Sequence, residues 1–94
     1  MRIDNFIWLP VIVDKIQWKH SVVPEEAEEI FFNKPKYRFV EIGHRKGDNV
    51  YSASGQTDGG RYLTVFFVFK RPDSALILSV RDMDQKERMR YERK

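Results

Sequence analysis

The chain has 94 residues, of which 41% are hydrophobic, 14% aromatic and 33% charged. This is one small domain, residues 1–94, with enough apolar mass for a core, and the balance excludes wholesale disorder. It contains no cysteine and two histidines, which excludes a disulfide framework, a thiolate zinc site and a cysteine nucleophile, and argues against a His-rich metal cage. The formal net charge of +3 is unevenly spread: residues 1–60 carry −1 and residues 61–94 carry +4. Positive charge in the last third is a mild pull toward a phosphate-bearing or acidic partner, although on charge alone a slightly basic soluble surface accounts for it. No apolar run approaches the roughly 18 residues of a membrane span, and the N-terminus lacks the pattern of a signal peptide. The expected location is the cytoplasm.

In chain order, Ile3 to Trp8 alternates in part and reads as a short strand. Pro10 suits the first turn of a helix, where its missing N–H is not needed, and Ile12, Val13 and Ile16 share one face of a helix running to His20. Ser21-Val22-Val23 breaks it. A second helix starts at Pro24 with Glu25 and Glu26 in its first turn, buries Ala27, Ile30 and Phe31, and ends at Asn33 and Pro35. Four strands follow: Tyr37 to Ile42, Val50 to Gln56, Arg61 to Lys70 and Ala75 to Arg81. The third of these is almost continuously apolar, as a central strand covered on both faces should be. Short connections predict antiparallel pairing. Asp84 is a good N-cap, with Glu87 at capping-box spacing, for a last helix from Asp84 to Arg93. The expected fold is α+β, in the order β-α-α-β-β-β-β-α, with helices packed on one curved antiparallel sheet.

No standard catalytic motif is present: there is no phosphate loop, no HExxH and no nucleophile elbow. Polar groups instead gather at the ends of elements. Lys19 and His20 close the first helix, where two cations complement the helix dipole, or else supply a phosphate-binding cation and an imidazole. Arg61 opens the apolar strand, a solvated strand end or a fork for a phosphate. Ser79 and Arg81 sit two residues apart, and strict alternation puts them on the same face as the apolar Ile77. Glu87 and Tyr91 share a face of the last helix at i, i+4, although a capping box alone accounts for Glu87. Gathered on one hollow, these groups would suit RNA cleavage by internal attack of the ribose 2′-hydroxyl, which needs cations, a base and an acid but no metal.

Several fragments also recur in a known order: Phe6-x-Trp8, Lys19-His20-Ser21-Val22, Glu26-Ala27-Glu28-Glu29-Ile30-Phe31, Gly60-Arg61-Tyr62-Leu63-x-Val65-Phe66, Ile77-x-Ser79-x-Arg81-x-Met83, then Glu87-Arg88 and Tyr91. Over nearly its whole length the chain resembles BrnT-type toxins of bacterial type II toxin–antitoxin systems, which have a RelE-like ribonuclease fold. The resemblance implies an mRNA-cleaving, growth-inhibiting endoribonuclease without a cofactor or metal. It implies neutralisation by a BrnA-like ribbon-helix-helix antitoxin, with operator DNA contacted only through that antitoxin. Carried over by motif, the catalytic candidates are Lys19, His20, Arg61, Arg81, Glu87 and Tyr91, and the RNA-binding candidates are Lys19, Arg61, Ser79, Arg81 and Arg88.

Two other readings compete. One is a catalytically inactive RelE-like module that pairs with a small antitoxin-like protein, its basic tail facing an acidic or amphipathic helix. The other, a DNA-binding regulator, ranks last, because no helix-turn-helix with a basic recognition helix is visible.

Overall fold

The computed structural model describes residues 1–93. The elements appear in the predicted order: β1 (Asn5–Ile7), α1 (Pro10–His20), α2 (Pro24–Phe32), β2 (Lys36–Glu41), β3 (Val50–Gln56), β4 (Tyr62–Lys70), β5 (Ser74–Asp82) and α3 (Gln85–Glu92). Pro10 and Pro24 each occupy the first turn of their helix. At the end of α1, Ser21 adopts a left-handed conformation (φ 53°), and the Val22 N–H donates to the Ile16 carbonyl at 3.2 Å. That bond reaches back six residues, past the left-handed Ser21, and turns the chain into α2. At the start of α2 the Glu26 carboxylate accepts from the Val23 N–H at 3.2 Å. At the start of α3 Asp84 and Glu87 form the expected capping box, each side chain accepting the other's backbone N–H at 2.8 and 2.9 Å.

The sheet has five strands in the order β1-β5-β4-β3-β2. The four long strands are antiparallel, as expected, but β1 pairs with β5 in parallel. The β1–β5 pair is parallel because α1, α2 and three strands intervene between these partners, so no hairpin dictates their direction. Helices α1 and α2 cover one face. Ile16, Val22, Ala27, Ile30 and Phe31 meet Ala53, Leu63, Val65, Phe67, Ala75, Ile77 and Val80 in a single core. Phe31 stacks edge-on against Phe67 and Phe6, with ring centroids 5.5 and 5.1 Å apart. Helix α2 runs so close to β3 that a Cβ on Gly55 would lie 2.9 Å from Ile30 Cβ, which explains the glycine. No helix among the described residues is long and apolar enough to cross a membrane.

One irregularity fixes what the other face presents. Phe66 pairs with Ser79 and Phe67 with Ile77, so Leu78 is an extra residue in β5. Burial follows the shift: Ala75, Ile77 and Val80 are all fully buried. The bulge reverses the alternation after Ile77 and turns Ser79 and Arg81 away from the core. The sequence-based expectation that both share the face of Ile77 is thereby corrected.

The strained serine gives a simple test of the α1–α2 corner. Ser21→Gly removes the left-handed penalty and should stabilise the protein by about 0.5–1 kcal/mol, raising the thermal midpoint by a few degrees in calorimetry. A lowered midpoint would contradict the corner described.

Candidate nucleic-acid interface

The face of the sheet away from α1 and α2 is polar toward α3. Reading across the strands by register, one row contains Lys36, Ser54, Thr64 and Arg81. The next contains Arg38, Ser52, Phe66 and Ser79. The Ser54 and Thr64 hydroxyls lie 3.3 Å apart and satisfy each other. The Arg81 guanidinium lies 5.2 Å from the centre of the Phe66 ring, whose π-face attracts the cation.

Helix α3 stands at the rim of this face and has no buried residue of its own. It is tied down by polar contacts. Both Glu87 oxygens accept from Arg81, one of them from Nη2 at 2.8 Å. Lys36 Nζ donates to the carbonyl of Arg90 in the last turn of the helix and to that of Arg93 just beyond its end, at 3.4 and 2.6 Å, where a cation also meets the negative end of the helix dipole. Tyr91 packs edge-on against Tyr62 at 6.1 Å, and the Arg88 guanidinium lies 4.1 Å from the Tyr62 ring centre. Between β2, β3 and α3 opens a cleft of about 360 Å³ lined by Lys36, Arg38, Ser54, Glu87, Arg90 and Tyr91. Arg81 lines an adjoining hollow of about 290 Å³ that shares Arg38 and Glu87 with the cleft; its side chain keeps 34% of its surface exposed and that of Glu87 17%. Hydrogen bonding to Glu87 raises the arginine's pKa and fixes its positive charge. Its Nε donates to no group among the described residues, which leaves a direction of approach for an anion.

Arg61 lies on the other face. It continues the alternation of Leu63, Val65 and Phe67, all fully buried against the helices. Its Nε and Nη2 fork onto Asp82 at 2.8 and 3.1 Å. Nη1 donates to the Ser21 carbonyl at 2.9 Å and Nη2 to the His20 carbonyl. Glu26 stands 3.7 Å from Nη1. All three guanidinium nitrogens are thus engaged within the protein, and one side chain caps the end of α1, the start of α2 and the ends of β4 and β5 together. The hydrogen bonds from Arg61 hold the Asp82 carboxyl below the usual carboxylate range, and the charge of nearby His20 adds to the effect.

The expected single hollow therefore divides in two. Ser79, Arg81, Glu87, Arg88 and Tyr91 come together on the open face. Lys19, His20 and Arg61 sit at the end of the helical layer, with Lys19 exposed and His20 half-buried. The bulge at Leu78 and the strand alternation through Arg61 send the two arginines to opposite sides of the sheet. Sequence reasoning missed Lys36, Arg38, Tyr62 and Arg90 at the open face and Asp82 as the partner of Arg61. Lys36 and Arg38 were findable, because they alternate with the aromatic Tyr37 and Phe39 along one strand. Among the described residues no three His, Asp or Glu side chains are grouped to hold a metal ion. Compared with protein-family models and with curated proteins, the chain matches none.

The Arg61 cluster makes two predictions. Arg61→Ala should destabilise the fold by about 1–2 kcal/mol in urea titration, because it removes the largely exposed hydrogen bonds that tie the His20 and Ser21 carbonyls to the Asp82 carboxylate. Since the folded pKa of Asp82 is depressed, its contribution is complete above the ordinary value of 3.8 and disappears as pH falls through the folded value. The stability difference between wild type and Asp82→Asn should accordingly be full at neutral pH and shrink in acid; a difference that grows in acid would contradict the pairing.

Proposed function

We propose that the chain is an endoribonuclease toxin of the BrnT type, acting in the cytoplasm, and that RNA is held and cut on the open face beside α3. The observation that carries this reading is the partly exposed Arg81–Glu87 pair, whose Glu87 also lines a cleft walled by further cations and by Tyr91. In the free protein Glu87 takes both forks of Arg81. A scissile phosphate competes for one of them, and the arginine then faces the negative charge that grows on the phosphoryl oxygens. The displaced Glu87 oxygen accepts the proton of the ribose 2′-hydroxyl. The 2′-oxygen bonds to phosphorus, the bond from phosphorus to the 5′-oxygen breaks, and that oxygen leaves as a hydroxyl with a proton from solvent. The product is a 2′,3′-cyclic phosphate, and DNA, which lacks the 2′-hydroxyl, is spared. Tyr62 and Tyr91 offer rings against which neighbouring bases can stack. Lys19, His20 and Arg61 have no role in this chemistry. A ribbon-helix-helix antitoxin belongs to the same proposal, on the strength of the sequence resemblance.

The bidentate Arg81–Glu87 contact also favours a second reading. A carboxylate already satisfied by two guanidinium hydrogen bonds serves as a fixed wall of a binding surface that grips RNA or an antitoxin without cutting.

Incubation of the purified protein with total RNA in EDTA, with and without ribosomes, separates the two. Cleavage leaving 2′,3′-cyclic phosphate ends, reduced at least about 100-fold by Arg81→Ala, is the expected result. RNA left intact under both conditions removes the enzyme reading.

A further inference from the structure

The outer edge of β2 is unpaired, because β2 ends the sheet. An open edge offers a row of backbone donors and acceptors that only another extended strand satisfies. The strand also exposes apolar side chains, Phe39 at 55% and Val40 at 42%, and Ile42 just beyond its end is 77% exposed. The opposite edge, β1, is three residues long and gives little to pair with.

Edge strands are commonly guarded by a bulge and by charge. β2 has both, in a self-complementary form. Phe39 pairs with Tyr51 and Glu41 with Val50, so Val40 is the extra residue of a bulge. The bulge brings Glu41 onto the same open face as Arg38, which pairs with Ser52. Neither Arg38 nor Glu41 makes an ion pair among the described residues. A guard of like charges would repel a second β2; this strand carries Lys36, engaged by the carbonyls at the end of α3, and beyond it one charge of each sign, Arg38 and Glu41.

We propose that β2 pairs antiparallel with β2 of a second copy of this chain. A two-fold axis perpendicular to the sheet, passing beside Phe39, sets Phe39 against its own counterpart and Arg38 beside Glu41 of the other copy, twice. Opposite charges and aromatic pairs at facing positions are the favourable cross-strand contacts of an antiparallel ladder, and a two-fold interface requires this kind of self-complementarity. The result is a continuous ten-stranded sheet whose two open faces look the same way, so that both Arg81–Glu87 pairs lie on one side of the dimer. Arg38, Phe39 and Val40 also border the hollow that holds Arg81 and Glu87, so the interface adjoins that pair, but its existence does not depend on RNA cleavage.

Sedimentation velocity over a concentration series tests the pairing. Wild type should approach twice the 11.3 kDa of the chain as concentration rises. Phe39→Asp should remain monomeric with an unchanged far-ultraviolet circular dichroism spectrum. Arg38→Glu and Glu41→Arg should each weaken the dimer by roughly tenfold or more, and the double exchange Arg38→Glu/Glu41→Arg should restore it. Should Phe39→Asp fail to fold, the charge exchange decides alone, since both of its residues are exposed. A wild type that stays monomeric at every concentration, or a dimer that all these variants leave unchanged, overturns the proposal.

Discussion

A single inserted residue decides which chemistry this fold can present. With Leu78 bulged out of register, β5 buries Ala75 and Ile77, then skips, then buries Val80. Without the bulge, Ser79 and Arg81 would point into an apolar core, where an unpaired guanidinium has no compensating partner. With it, both reach the solvent side of the sheet, where Arg81 finds Glu87 and α3 finds an anchor. The capping box at Asp84 and Glu87 starts that helix, and the same Glu87 holds Arg81. Helix start, sheet rim and candidate site are therefore one hydrogen-bonded unit.

Two arginines that look interchangeable in sequence do different work for geometric reasons. Arg61 ends an alternation that faces the helices, so the groups within its reach are orphaned helix-end carbonyls and the carboxylates Asp82 and Glu26. It locks the corner between α1, α2 and the strand ends. Arg81, past the bulge, faces the open side, and its Nε donates to no group among the described residues. Lys19 and His20 follow Arg61 to the structural side because α1 ends there. Of the cations and hydroxyls that sequence suggested might act together, the fold gathers only those of β5 and α3.

The element order was legible because its signals are local. Pro10 and Pro24 mark helix starts, Asp84 and Glu87 a capping box, and the run from Tyr62 to Phe69 a strand buried on both sides. Their boundaries came close for the same reason. Three features were not legible. The parallel pairing of β1 with β5 depends on where distant segments dock. The bulge at Leu78 leaves no mark in Leu76-Ile77-Leu78, where apolar residues fill both faces and hide the change of phase. The partners of Arg61 come from α1, α2 and β5, and only the folded chain brings them together. Lys36 and Arg38, by contrast, were written in plain alternation and escaped attention because they belong to no motif.

The central proposal is that the open face, and not the Arg61 corner, meets RNA. The most direct measurement is an NMR titration of isotope-labelled protein with a single-stranded RNA whose 2′-hydroxyls are methylated, so that it binds without being cut. The side-chain Nε–H signal of Arg81 should shift progressively, together with the amides of Ser54, Thr64 and α3, while that of Arg61 stays in place. Shifts concentrated at Arg61, Lys19 and His20, or no shift at all, would contradict the account.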